Sequence, residues 1–347
     1  MRMDVKGSEE HVGDIVHRKL TINATGSPQI SETVTKTPLE VNPEGRNAFQ
    51  VRLQYRRKGW GAGAGGWRYK TDRVTAGRLV STPPLATATT FTQEVNSVAL
   101  WGEAPLPAPN DLEASTFSPV DFRVAAGWGA WAVNFFGLRT LTDTAEARVD
   151  VIFGGTFAHL RSSQNQATSE RYFEFNAFGP ALHANSFLSQ NSAAVAEFGG
   201  AGPMAGVETE LRWRRLRLQL QATESFLVGN ADRQGVFTEA DNFTLAQGPS
   251  GPFLPCPPLL IDAGCASLQG RNEFSASGRT FVSVTDLQLR TLVEVGGPLS
   301  AGVNVFASLW GNAPLSPAFT FPHIFGWRAS DRTLRFFGLG FVVAAHF

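Results

Sequence analysis

Charge is what this sequence has least of. Only 17% of its 347 residues are Asp, Glu, Lys or Arg, against roughly 25% in an ordinary soluble domain, and thirty basic residues cancel thirty acidic ones. No polybasic field exists to gather phosphates along a backbone, which excludes nucleic acid as a partner. Lysine occurs only at Lys6, Lys19, Lys36, Lys58 and Lys70, and tyrosine only three times. A transmembrane helix needs about 20 apolar residues in a row. The best candidates, residues 120–136 and 334–347, are broken by Arg, Asn, Gly or His, so no helical span is expected. Residues 1–13 are polar and acidic, without an apolar run suited to an export signal. Residues 1–14 are therefore read as a periplasmic extension, with the signal taken as already removed.

Cysteine is nearly as scarce. Cys256 and Cys265 share one Pro/Gly-rich segment, GPSGPFLPCPPLLIDAGC, and are read as a small loop disulfide made in an oxidising compartment, two free thiols being the alternative. The six histidines show no metal-ligand spacing and the cysteine pair has no partner pair, so neither metal nor cofactor is expected.

What the chain has in quantity is glycine (35) and phenylalanine (27), a combination that favours strands and turns. Strict alternation recurs over ten or more residues. Val207, Thr209, Leu211 and Trp213 share one face while Glu208, Glu210, Arg212 and Arg214 take the other. After a reversal, Leu216, Leu218, Leu220 and Ala222 alternate with Arg215, Arg217, Gln219 and Gln221. Phe49 to Tyr55, Ala147 to Phe153, Leu287 to Val295 and Leu299 to Leu309 repeat the pattern. A soluble sandwich would turn the greasy face inward. However, soluble strands average about 5 to 6 residues, and these runs approach the ~9 to 11 that a tilted strand needs to cross a bilayer.

The connections alternate in kind as well. Short reversals fall near Lys58-Gly59, residues 136–144, Arg214-Arg215 and Gly296-Gly297. Long segments run over about 25–46, 73–118, 161–197, 230–278 and 313–333. Short turns on one side and long loops on the other mark an outer-membrane barrel. The expected fold is an all-β, antiparallel, up-and-down transmembrane barrel over residues 15–347. Its ten strands are placed at residues 15–24, 47–57, 60–72, 119–136, 145–160, 198–213, 215–229, 279–295, 298–312 and 334–347. The first is the weakest, and eight or twelve strands are the alternatives.

The chain ends LRFFGLGFVVAAHF, with Phe337, Leu339, Phe341, Val343, Ala345 and Phe347 on one face. This resembles the carboxy-terminal β-signal of Gram-negative outer-membrane proteins, which implies recognition by the barrel-assembly machinery and an outer-membrane location among lipid and lipopolysaccharide. The stretch FGGAGPMAGVETELRWRRLRLQLQATESFLVGN, with the closing GLGFVVAAHF, resembles the pore-forming proteins related to the Legionella major outer-membrane protein. That likeness implies a channel.

On the barrel reading the charged faces line the lumen: Arg52, Arg56, Asp121, Arg123, Arg148, Asp150, Glu208, Glu210, Arg212, Arg214, Arg215, Arg217, Asp286, Arg290 and Glu294. Opposite charges either brace the lumen or set a field that selects polar solutes, and the Arg212 to Arg217 group would form a basic mouth. Ten strands permit a narrow pore at most. Catalysis is not expected. His159 with Ser162, and His183 with Ser186, have odd spacings that send them to opposite faces of a strand, while Glu239, Asp241, Asp262 and His323 are scattered over outer loops. WGAGAGGW, Trp60 to Trp67, lacks the lysine of a phosphate loop and is read as tight curvature near the membrane boundary. Trp128, Trp131, Trp213 and Trp310 are girdle candidates, Trp128 and Trp213 sharing their strands' greasy face. The leading functional expectation is a passive, porin-like pore for small polar solutes. The alternative is a closed structural or adhesin-like barrel that binds a partner, or a second copy, through its outer loops; a soluble secreted β-sandwich is a third reading.

Overall fold

The computed structural model describes residues 3–6, 10–23, 29–41, 44–79, 82–86, 90–100, 113–117, 120–176, 182–247, 265–296, 299–320, 326–328 and 331–345. Among the described residues ten strands form the barrel. They are β1 (Met3–Lys6), β2 (Glu44–Arg57), β3 (Trp60–Leu79), β4 (Val120–Asp143), β5 (Ala147–Asn176), β6 (Leu182–Trp213), β7 (Leu216–Gln247), β8 (Cys265–Gly296), β9 (Leu299–Pro314) and β10 (Asp331–Ala345). Each pairs antiparallel with its sequence neighbours, and β10 returns to β1 through Met3↔Gly340 and Lys6↔Phe337, which closes the ring. At this seam the four residues of β1 join β10 to β2, and closing the ring is how a sheet spans hydrocarbon.

The turns at one end are tight because their residues accept left-handed backbone. Lys58 and Gly59 both have positive φ (48° and 75°), the geometry of a two-residue hairpin that follows the right-handed strand twist. Arg214 does the same at 53°. The predicted reversal at residues 136–144 is shorter than expected: β4 runs to Asp143 and the turn occupies only 144–146.

The greasy stripes face outward. Leu53, Tyr55, Phe135, Phe153, Leu211, Phe226, Val303 and Phe341 are all exposed, whereas Asp150, Glu208, Glu210, Gln288 and Asn304 are buried. A water-soluble protein arranges these classes the other way round, so the parity of the alternation identifies a lipid-facing exterior. From Leu216 to Phe226 the outward stripe, interrupted at Glu224, spans ten residue steps, ~33 Å along the strand and about 25 Å once tilted. Close strand approach inside the ring demands glycine at several inward positions. A Cβ on Gly302 would lie 1.7 Å from the Thr291 carbonyl oxygen.

Three expectations need correction. The first barrel strand is Met3–Lys6, not residues 15–24, so residues 1–14 are not simply an extension. Four residues are too few to display alternation in a sequence. Residues 15–23 are extended as predicted, but Glu10–Asn23 pairs instead with Gln29–Val41 and Thr90–Leu100, and Thr82–Ala86 completes this separate four-stranded sheet. Second, the segments read as loops at 161–197 and 230–278 are largely continuations of β5 to β8, which are 30, 32, 32 and 32 residues long. Beyond the bilayer a strand needs no greasy stripe, so its hydrogen-bond ladder persists where the alternation ends. The 73–118 segment likewise contains the end of β3 and Glu113–Phe117, which pairs with β5, and the 313–333 segment holds a small hairpin, Ala318–Thr320 with Gly326–Arg328. The wall is lopsided as a result: β2, β9 and β10 have only 14, 16 and 15 residues. Third, Trp128 and Trp310 are buried inside the barrel, as is Trp67, while Trp60, Trp131 and Trp213 are exposed on the outer face. The loop disulfide falls on Cys256, which lies outside the described residues, and of Cys265 only the backbone is described, opposite Thr244. Phe347 also lies outside them.

Candidate functional site in the barrel lumen

Strand parity sends Arg52 and Arg56 from β2, Arg148 and Asp150 from β5, Glu208, Glu210 and Arg212 from β6, Arg217 from β7 and Asp286, Arg290 and Glu294 from β8 to the inner face. Near the short turns they meet as one ionic layer. Asp150 accepts hydrogen bonds from Arg56, from Arg148 at 3.1 Å and from Thr140 at 2.7 Å. Glu208 pairs with Arg56 at 2.9 Å and Arg52 at 2.5 Å. Glu210 accepts from Arg148 at 2.9 Å, Arg212 at 2.7 Å and Gln219 at 2.8 Å, and Arg212 also reaches Asp143 at 3.1 Å. Arg217 pairs with Glu294 nearer the turns. Buried carboxylates are tolerated only when paired and hydrogen-bonded, and each of these three has at least two cationic partners. The expected bracing of the lumen by opposite charges is therefore present.

Above the ionic layer Gln50 and Gln288 exchange amide hydrogen bonds, and Arg290 donates to Gln288 at 2.5 Å. Next comes an aromatic layer. Trp67 donates through Nε1 to Asp286 at 3.2 Å, Ser308 donates to the other Asp286 oxygen at 2.5 Å, and Trp310 donates to Ser308 at 3.0 Å. The Trp67 ring stacks on Tyr69 with centroids 5.1 Å apart and meets Trp310 edge-on at 6.0 Å, while Tyr69 packs on Phe336 at 4.1 Å. Trp128, Leu160, Phe198, Leu227 and Val282 complete this cluster. At the end of β9 the chain turns inward. Ala313 to Pro317 are all buried, and the Ser316 N–H donates to Ser162 Oγ on β5 at 2.6 Å, across the mouth.

Counting strands around the ring shows what these bonds span. Trp67 (β3) and Asp286 (β8) are five strands apart in a ring of ten, and so are Arg52 (β2) and Gln221 (β7), which are joined by a hydrogen bond. Both contacts cross the full diameter. Side chains touch across the diameter, and Asp150, Asn304, Phe198 and Trp310 are all at 0% exposure, so side chains fill the lumen at these layers.

Several predicted lumen residues lie elsewhere. Arg123 is exposed on the outer face, since it alternates with the inward Phe122 and Val124. Arg214 and Arg215 occupy the turn, where Arg214 lies over the Trp213 ring at 5.9 Å. Asp121 pairs outside the barrel with Arg78 at 2.6 Å, beyond the apolar belt. The Arg78 guanidinium holds the Asp121 carboxyl below its ordinary range by hydrogen bonding to it. His159 is outward, stacked on Trp131 at 5.9 Å, while Ser162 is inward, so the odd spacing separates them as expected. The side chains of His183, Ser186, Asp241, Asp262 and His323 lie outside the described residues. Among the described residues no cluster of three His, Cys, Asp or Glu side chains is arranged to hold a metal ion. The aromatic layer is what the sequence reading missed. Its signal was parity: Arg56 pairs with Gly61, so Gly61, Gly63, Gly65 and Trp67 share the inward face.

The fold and its inverted polarity define the class: an outer-membrane β-barrel. No known family matches the chain, and no curated protein matches it. Among solved structures it is similar to the outer membrane protease OmpT from Escherichia coli, at 9% identity over 99% of this chain and 96% of that one, with a TM-score of 0.37.

Proposed function

We propose that this chain is a closed outer-membrane barrel, a rigid pedestal whose role is carried by the wall and loops standing beyond the bilayer. The observation that carries the reading is the filled lumen, in which Trp67 and Asp286 meet across the diameter and the segment after β9 folds into the mouth. A passive porin, the function implied by the resemblance to the Legionella proteins, needs the opposite: an interior wide enough for water. The lopsided build supports the same reading. A strand needs about 10 residues to cross a bilayer, yet β6, β7 and β8 each have 32, so most of their length lies outside. The polar outer wall is where a partner would bind. At the other end, the exposed Phe337, Leu339, Phe341 and Val343 suit the β-signal role expected of the last strand, and with it an outer-membrane location.

Liposome swelling tests this. Vesicles containing the folded protein, placed in isotonic arabinose, are expected to swell no faster than protein-free vesicles. Swelling that scales with protein content and falls with solute size would restore the porin reading.

A further inference from the structure

Three neighbouring strands carry an unusual patch on the outer face where the apolar belt ends. In register, Arg68 of β3 lies beside Trp131 of β4, and Trp131 beside His159 of β5. One row further from the short turns, Lys70 lies beside Gly129, and Gly129 beside Arg161. Below this patch the same face is apolar, with Val133 and Phe157 exposed. Arg68, Lys70 and Arg161 are exposed too. Arg161 pairs with Glu197 at 3.1 Å, which leaves most of its five N–H donors available. Among the described residues neither Arg68 nor Lys70 forms an ion pair. Asp72, one row higher, is the acidic residue of β3 on this face.

Gly129 gives the patch its shape. A Cβ there would meet nothing within 4 Å, so the surface between Lys70 and Arg161 is bare backbone. Two strand spacings put these two side chains ~9–10 Å apart at their origins. Both are long enough to converge on one group seated over the glycine, with Arg68 one row below.

From this arrangement we infer that the outer face over Gly129 is a docking site for the phosphate of a lipid headgroup, held by Lys70 and Arg161 and supported by Arg68. The inference rests on the membrane reading above. Its occupant follows from continuity with the lipid-facing belt. A lipid whose acyl chains lie along Val133 and Phe157 places its phosphorylated head one or two rows higher, at the cations, with Trp131 at the boundary where amphipathic rings settle. Guanidinium and ammonium groups at that height supply the charge-assisted bonds that an anionic oxygen takes best. This end is opposite the short turns, so the phosphorylated lipid is that of the outer leaflet.

The test uses the full chain reconstituted into phosphatidylcholine vesicles containing equal amounts of bisphosphorylated lipid A and the same lipid A stripped of phosphate, followed by detergent extraction and native mass spectrometry of retained lipid. Wild type is expected to retain the phosphorylated form over the stripped form by about tenfold. The K70A/R161A double variant should bring that ratio to near unity, K70R/R161K should keep most of it, and R271A, an exposed arginine higher on the wall, should leave it unchanged. Equal retention of both lipids by integrated wild-type protein, or undiminished preference in K70A/R161A, overturns the phosphate site alone. Failure of the wild type to integrate into plain phosphatidylcholine vesicles overturns the membrane reading beneath it.

Discussion

Glu210→Ala is expected to destabilise the folded barrel by about 3 kcal/mol, the lower part of the range for breaking a buried ion pair from one side. Glu210 is buried and accepts from Arg148, Arg212 and Gln219. Its removal takes a buried acceptor away from those three donors at once. The cost stays at the low end because Arg148 keeps Asp150 and Arg212 keeps Asp143. Urea titration of the protein in detergent micelles, followed by the shift between folded and unfolded bands in unheated SDS, gives the number. The measurement also separates two pictures of the lumen. Charges lining a wide, wet channel behave as surface pairs, for which loss of a partner costs between zero and about 1 kcal/mol, so a shift that small would argue for water at this layer.

Trp67→Ala carries the second large effect, about 3–5 kcal/mol, as for other large-to-small changes at fully packed aromatic sites. The indole packs on Tyr69, Phe306 and Trp310 and supplies one of the two hydrogen bonds to Asp286. Truncation therefore opens a cavity and removes a donor from a buried carboxyl at once. Trp213→Ala serves as the contrast: that ring stands exposed on the outer face beside a turn, and its loss should move the urea midpoint far less. Equal effects at the two positions would contradict the placement of Trp67 at the barrel's centre.

Much of this architecture is written in the alternation of the chain. The stripes at Phe49 to Tyr55, Val207 to Trp213, Leu287 to Val295 and Phe337 to Ala345 face out as their parity requires, and the charged residues between Glu208 and Arg212 face in. What parity could not give is visible at particular places. Residues 163–169, SQNQATS, are polar on both faces, so nothing in their pattern separates a loop from a strand that has left the bilayer. Only the backbone ladder does. On β4 both faces are apolar, since Val124, Ala126, Trp128 and Ala130 point inward while Trp131, Val133 and Phe135 point outward, and a reading that seeks one greasy face cannot assign Trp128.

Met3–Lys6 was illegible for another reason. Its place in the ring depends on partners more than 300 residues away in β10, and four residues hold no periodicity. The filled lumen lay between these cases. The inward charges were readable as a set, but their reach across the diameter, and the aromatic layer above them, arise from ring size and from the inward fold of Ala313 to Pro317. Neither is a local property of the sequence.

Single-channel recording in a planar bilayer tests the closed lumen most directly. Folded wild-type protein inserted from detergent is expected to remain electrically silent, because side chains bond across the full diameter at the level of Arg52 and Gln221 and again at Trp67 and Asp286. Reproducible unitary steps from the same preparation would contradict this account and return the charged inner face to the role of a selectivity filter.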